Sequence, residues 1–260
     1  MKYLEIERYA ARDSILHRFD PRAKIIAFLF LIFSVVLVPD LKTALIGFFA
    51  AIFLFLLSRI PVTFVLNYIR WVAIFAISFF VILAFTFPGE ELARFYFLSI
   101  TVEGLYAGSL IAVRAFSAII LVFTMVGTMR FETTVKALGR LKVPDSLVQM
   151  LVFTYRYIFV FRDVFQRIWT AMGSRGFKLL RIRTVLYSLR TIGKAAGMLF
   201  VLSYERAERV YRAMRSRGYT GTNNPKTLML AEFEIRLKDY LLAASIIVFA
   251  IFLHTISVFV

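Results

Sequence analysis

Residues 105–129 read LYAGSLIAVRAFSAIILVFTMVGTM, and Arg114 is the one charged side chain in the run. An α-helix needs about 20 mostly apolar residues to cross the hydrocarbon core of a bilayer, within a range of about 17–25. This stretch has that length. Polar residues do not alternate along it, as they would on a half-buried soluble helix or on a barrel strand. The stretch therefore points to an α-helical integral membrane protein.

Four more apolar stretches lie outward from it, at 25–38, 43–58, 71–87 and 240–260. The last is long enough to span and 71–87 just reaches the limit. The first two are short, and reach a full span by snorkelling Lys24 and Lys42 or by sitting where the bilayer thins. Pro39-Asp40-Leu41 between them reads as the turn of a tight helical hairpin. Composition agrees. Hydrophobic residues make up 60% of the chain and the mean hydropathy is +0.78, too apolar for a soluble domain of this size. The expected architecture is all-α, with about five transmembrane helices and long cytoplasmic amphipathic helices. Its expected parts are membrane helices in 1–129, a cytoplasmic or interfacial region in 130–238 and a last membrane helix in 239–260.

Charge sets the orientation. The net charge is +16, and Lys and Arg concentrate before the first span, after the second, and throughout 130–238. The 88–104 loop instead carries Glu90, Glu91 and Glu103 against Arg94. The positive-inside rule then puts the N-terminus and 130–238 in the cytoplasm and the C-terminus outside. Residues 1–20 are mixed polar and no small-residue cleavage site follows the first apolar run, so the first helix is expected to insert as an uncleaved anchor. There is no Cys, and His17 and His254 are the only histidines. Thiolate chemistry is excluded, and a self-contained metal site is not expected.

The 130–238 region is structured. Leu147, Leu151, Tyr155, Ile158, Phe161, Phe165, Ile168 and Met172 recur at three- and four-residue steps, one apolar stripe on a long helix. Pro144-Asp145 reads as its start and Gly176 as its stop. A second helix is expected over 199–217, with Glu205–Arg209 and Glu208–Arg212 as i,i+4 pairs. Residues 185–200 are apolar but carry Arg190 and Lys194. They read as a helix lying against the bundle or the interface, with a sixth span as the alternative.

These helices end in a repeat. Ala171-Met172-Gly173-Ser174-Arg175-Gly176-Phe177 is echoed by Ala213-Met214-Arg215-Ser216-Arg217-Gly218-Tyr219. Arg is favoured at the partly negative C-terminal end of a helix, and Gly lets the chain turn through positive φ. Each copy thus presents a guanidinium, suited to bidentate contact with a carboxylate, at a helix tip. One Arg-Gly is a common terminator. Two copies sharing the Ala-Met-x-Ser lead suggest two plugs for two acidic sockets.

The chain resembles the transmembrane (T) component of energy-coupling factor (ECF) transporters, a type of ABC importer, and in particular the cobalt/nickel (CbiQ-type) branch. The likeness rests on Leu16-His17-Arg18-Phe19-Asp20-Pro21-Arg22-Ala23-Lys24, on Val143-Pro144 followed by Phe153-Thr154-Tyr155-Arg156-Tyr157-Ile158, on the two Ser-Arg-Gly motifs, and on the run from Glu205 to Met214. It spans nearly the whole chain. The family motif is most typically Ala-Arg-Gly; Ser replaces Ala here in both copies, a small-for-small change. The resemblance implies that Ser174, Arg175, Gly176, Ser216, Arg217 and Gly218, supported by Ala171, Met172, Ala213 and Met214, end two coupling helices. Each would insert into one of two cytoplasmic ATP-binding cassette subunits, and the chain would also hold a substrate-binding membrane (S) subunit. ATP and Mg would belong to the partners, and no cofactor is expected in this chain. It has no Gly-rich P-loop to hydrolyse ATP itself. It would then be a non-catalytic subunit of a multi-pass plasma-membrane importer for cobalt or nickel. A vitamin, or sharing among several S subunits, is the alternative.

Other features carry less. Arg114 inside a span suggests function by default, but a structural Arg bonded to carbonyls or to a polar neighbour reads slightly better. His17, Asp20, Pro21 and Arg22 read as a polar network that starts the first helix at the cytoplasmic edge. Gly104/Gly108 and Gly193/Gly197 permit close helix approach. Lys178, Arg181 and Arg183 suit anionic lipid headgroups, and no nucleic-acid motif accompanies them. A membrane enzyme would need convergent acids or His within the spans. A channel or secondary transporter would need a polar stripe or broken helices. Neither is evident in the sequence.

Overall fold

The computed structural model describes residues 14, 16–17, 19–88, 91–95, 98–177, 185–219 and 237–259. The helices are α1 (Pro21–Leu37), α2 (Leu41–Ser58), α3 (Val62–Thr86), α4 (Val102–Gly127), α5 (Phe131–Arg140), α6 (Asp145–Ser174), α7 (Val185–Ser216) and α8 (Leu237–Phe259). Strands β1 (Glu91–Phe95) and β2 (Leu98–Thr101) lie between α3 and α4. The chain divides into two compact units, residues 1–141 with 231–260, and residues 142–230.

In the first unit α1 is the core helix. It packs against α2, α4, α5 and α8 and buries Ala27, Phe28, Leu31 and Val35 almost completely. Asp20 starts it, its Oδ1 accepting from the Arg22 N–H at 2.8 Å, with Pro21 in the first turn. It stops before Pro39 because proline disfavours helical backbone in the residue ahead of it. At 17 residues and 1.5 Å per residue, α1 is about 25 Å long, short of a hydrocarbon core about 30 Å thick. Among the described residues, four segments are long and apolar enough to cross a membrane: Leu41–Ser58, Ile69–Thr86, Val102–Gly127 and Leu237–Ile256. With the shorter α1 they account for the five apolar stretches in the sequence.

The surface of this unit is oily. Phe33, Phe53, Trp71 and Phe75 are each more than 60% exposed. A soluble protein does not tolerate so much exposed apolar surface; a hydrocarbon solvent favours it. Most buried hydroxyls turn to the backbone, Ser58 Oγ being an exception with no hydrogen-bond partner among the described residues. The hydroxyls of Ser117, Thr124 and Thr128 donate to carbonyls on their own helix, and Ser34 Oγ donates to Ala250 O on α8 at 2.7 Å. In hydrocarbon such bonds replace those that water would make.

Gly104 and Gly108 let α4 lie directly on α3. A Cβ on Gly104 would fall 2.6 Å from Leu83 O, and one on Gly108 would fall 2.8 Å from the Phe80 ring. Nothing lies within 4 Å of the corresponding positions at Gly193 and Gly197.

Two expectations change. The 88–104 segment, read as a loop, contains an antiparallel ribbon pairing Glu91 with Thr101, Ala93 with Ile100, Arg94 with Ser99 and Phe95 with Leu98. The all-α class stands with that one addition. Residues 185–200 and 199–217, read as separate helices, form the single helix α7. No proline interrupts 185–216, and Gly193 and Gly197 weaken a helix without ending it. Among the described residues this helix is not one of the four segments long and apolar enough to cross a membrane.

Candidate functional site

The second unit holds both repeats. Helix α6 begins after Pro144, whose carbonyl accepts from Leu147 N at 2.9 Å and from Val148 N at 3.2 Å. Asp145 in the first turn matches the positive end of the helix dipole. Thirty residues later α6 ends at Ser174, with Arg175 as its C-cap.

The two endings are the same structure. After α6, Phe177 N donates to Met172 O at 3.1 Å and Gly176 N to Gly173 O at 3.0 Å. After α7, Tyr219 N donates to Met214 O and Gly218 N to Arg215 O, both at 3.0 Å. Gly176 has φ +81 and Gly218 has φ +87. This is the Schellman ending: two crossed bonds over a left-handed residue, with an apolar pair flanking the turn. It explains most positions of the repeat. Gly supplies the left-handed backbone, which costs an L-residue roughly 1–2 kcal/mol. Met172 and Phe177, like Met214 and Tyr219, are the half-buried positions, while every residue between them is exposed. Arg175 and Arg217 sit on the outside of this turn in both copies.

The structure also shows how far the repeat extends. At the same spacing Asp163 corresponds to Glu205, Arg167 to Arg209 and Trp169 to Tyr211, all on helix. The signal was present in the sequence but diluted by differing residues between the matches. Asp163, Gln166, Arg167, Thr170, Ala171 and Ser174 line an open, solvent-accessible face of α6. On α7 the equivalent face carries the ion pairs Arg209–Glu205 at 3.6 Å and Arg212–Glu208.

Helices α6 and α7 run antiparallel where they touch. The Arg206 guanidinium lies 5.6 Å from the centre of the Tyr157 ring, and Tyr219 Oη donates to Gln149 Oε1 near the start of α6. The pairing 157 with 206 and 149 with 219 requires opposite chain directions. The two Ser-Arg-Gly tips therefore point to opposite ends of the pair. Neither cross-helix tie was anticipated from the sequence, because each joins residues far apart in the chain.

The remaining candidates lie in the first unit. Ser14 Oγ and His17 Nδ1 are 2.7 Å apart, and Asp20 caps α1. Among the described residues no group of His, Asp or Glu is arranged to hold a metal ion. Next to this cluster Lys24, fully buried, donates from Nζ to Leu16 O at 2.7 Å and to Thr128 O at 3.4 Å. Its snorkelling role is thus replaced by a buried one, which ties the N-terminal segment to the end of α4. Arg114 Nη2 donates to Val38 O at the end of α1, while Tyr106 Oη accepts from Leu41 N at 2.9 Å. Together they pin the Pro39-Asp40 turn to α4. Arg18, Lys178, Arg181 and Arg183 lie outside the described residues.

Residues 12–228 match the CbiQ family, described as "Cobalt transport protein". The chain belongs to this family. The match includes both tips. Among curated relatives, an energy-coupling factor transporter transmembrane protein of Thermanaerovibrio acidaminovorans is 31% identical over 225 residues, covering 82% of each chain. One of the same description from Streptococcus thermophilus is 30% identical, covering 85% of this chain and 87% of the relative. Another, from Bacillus subtilis, is 28% identical, covering 85% and 86%. As a CbiQ-family protein the chain is a T component of ECF transporters, a membrane transport subunit and not an enzyme.

Proposed function

We propose that this CbiQ-family chain couples two cytoplasmic ATP-binding cassette subunits to a substrate-binding membrane subunit, and that Arg175 and Arg217 are the points of contact. The carrying observation is the pair of matching tips, each an exposed guanidinium on a rigid Schellman turn at the end of a helix of at least 30 residues. Long helices with rigid ends suit force transmission. An Arg fixed at such an end engages a carboxylate with little entropic cost. The basic balance of the region favours acidic grooves on the partners.

ATP binding would close the ATPase pair, the two tips would move with it, and the S subunit would topple in the membrane. Cobalt or nickel is the proposed cargo, in line with the family's description. A vitamin, or several S subunits served in turn, is the second reading. The chain would lie in the plasma membrane with its N-terminus in the cytoplasm and its C-terminus outside, as the basic segments require.

The test is co-purification with the ATPase pair encoded in the same genome, together with an uptake assay. Wild type is expected to retain the ATPases in detergent, and Arg175→Ala with Arg217→Ala to lose them or to abolish uptake. Equal retention and intact uptake in the double variant would refute the paired contact. Uptake of radiolabelled cobalt, set against vitamin uptake with each co-expressed S subunit, separates the two cargo readings.

A further inference from the structure

The two tips share one backbone but differ in what their trailing aromatic does. Phe177 folds back on its own helix, its ring 5.9 Å from that of Trp169 and nearly perpendicular to it. Phe177 has no hydroxyl with which to bond elsewhere. Tyr219 instead reaches the other helix, where its Oη donates to Gln149 Oε1, and this contact is partly shielded from water. The second tip is thereby tied to the first turns of α6. The Arg206–Tyr157 stack adds a second tie farther along the same side. Among the described residues, Phe177 has no equivalent bond from the first tip to α7.

We propose that Tyr219 is a positioning residue that latches the second Ser-Arg-Gly tip to the base of α6, so that the two coupling tips are mechanically unequal. The hydrogen bond ties the tip at Arg217 directly to the start of α6, whereas among the described residues no such bond ties the tip at Arg175 to α7. The proposal rests on the coupling role above, and it adds that the two ATPase contacts deliver different strokes. Both tips anchor through Arg and Gly, so removing the latch leaves ATPase binding intact and weakens transmission.

The chain has no Cys, so spin labels can be placed without removing any. Labels at Met150→Cys and Tyr211→Cys, both exposed positions, report the distance between the start of α6 and the end of α7 in the full chain reconstituted in nanodiscs. A narrow distance distribution is expected in the otherwise wild-type chain, with broadening in Tyr219→Phe and in Gln149→Leu. Gln149→Glu, which keeps an acceptor, should restore the narrow distribution, and Phe177→Leu should leave it unchanged. In the assembled transporter Tyr219→Phe should retain both ATPases while uptake per ATP hydrolysed falls about two- to tenfold, the factor that the net worth of one hydrogen bond corresponds to. An unchanged distribution in Tyr219→Phe and Gln149→Leu, or broadening that Gln149→Glu fails to restore, would overturn the latch. Broadening with uptake per ATP unaltered would overturn its part in the stroke. The distance measurement needs no ATPase, so failure of wild type to bind the ATPases would count against the coupling role and leave the latch to be judged by the distances alone.

Discussion

Arg114 in the first unit and the pair Arg175 and Arg217 in the second carry the same side chain in opposite settings. Arg114 sits partway along a helix that is otherwise apolar, and its guanidinium is spent on a carbonyl of this chain, Val38 O. Arg175 and Arg217 stand exposed on turns whose backbone bonds are already complete. The difference lies in where each Arg sits, within an apolar helix or at an exposed helix end. In hydrocarbon a charge or an open carbonyl must find its partner within the protein. In water the helix end can be closed by its own backbone, which leaves the side chain for another molecule. In the first unit most buried hydroxyls likewise turn to carbonyls, among them Ser34, Thr43, Ser117 and Thr124.

The largest expected effect breaks the outward-facing half of this contrast. Arg175→Ala with Arg217→Ala should abolish coupled uptake, since an interface Arg at a hot spot is worth about 2 kcal/mol or more. Thermal unfolding of the isolated chain should change little, because each guanidinium lends its exposed helix end only about 0.3–1 kcal/mol.

The inward-facing half breaks by overpacking. Gly104→Leu drives a side chain into the α3 backbone at Leu83 O and should destabilise the first unit by about 1–3 kcal/mol or more. The measurement is thermal unfolding in detergent, compared with Gly197→Leu, where nothing stands in the way.

Arg114→Leu sharpens the contrast directly. It opens the Val38 carbonyl and should cost about 1–3 kcal/mol in the same assay. Any protein that remains folded should still retain the ATPases, whereas loss of retention by folded protein would make Arg114 part of the coupling path. Gly218→Ala tests the tip turn and should cost roughly 1 kcal/mol, the penalty for an L-residue in left-handed backbone. Hydrogen exchange at the Tyr219 amide, expected to speed up, would read this locally. The smallest effect belongs to the serines. Ser174→Ala and Ser216→Ala remove only a hydroxyl bonded back to its own helix, and each should change stability and uptake little, within about 0.5 kcal/mol.

Much of the fold was legible because bilayer thickness and positive φ impose strict local rules. The apolar stretches became helices, Asp20-Pro21 and Pro144-Asp145 became starts, and Gly176 and Gly218 became left-handed stops. Two elements were misread for local reasons. Residues 88–104 have turn-rich flanks, and their pairing was visible only once α3 and α4 brought the two ends together. Residues 185–200 combine apolar character with Arg190 and Lys194, which obscured their continuity with the helix that follows.

Sequence alone marked the apolar stretches and the chemistry of each helix end. Both depend on residue type and on spacings of a few positions, through hydropathy, proline sterics and the missing Cβ of glycine. Tertiary structure alone decided which groups meet: Arg114 with Val38, Lys24 with Leu16 and Thr128, Tyr219 with Gln149. These partners are separated in the chain by up to 104 positions, and no local pattern encodes such a pairing. It follows from how the helices pack and from the cost of leaving a buried donor or acceptor without a partner.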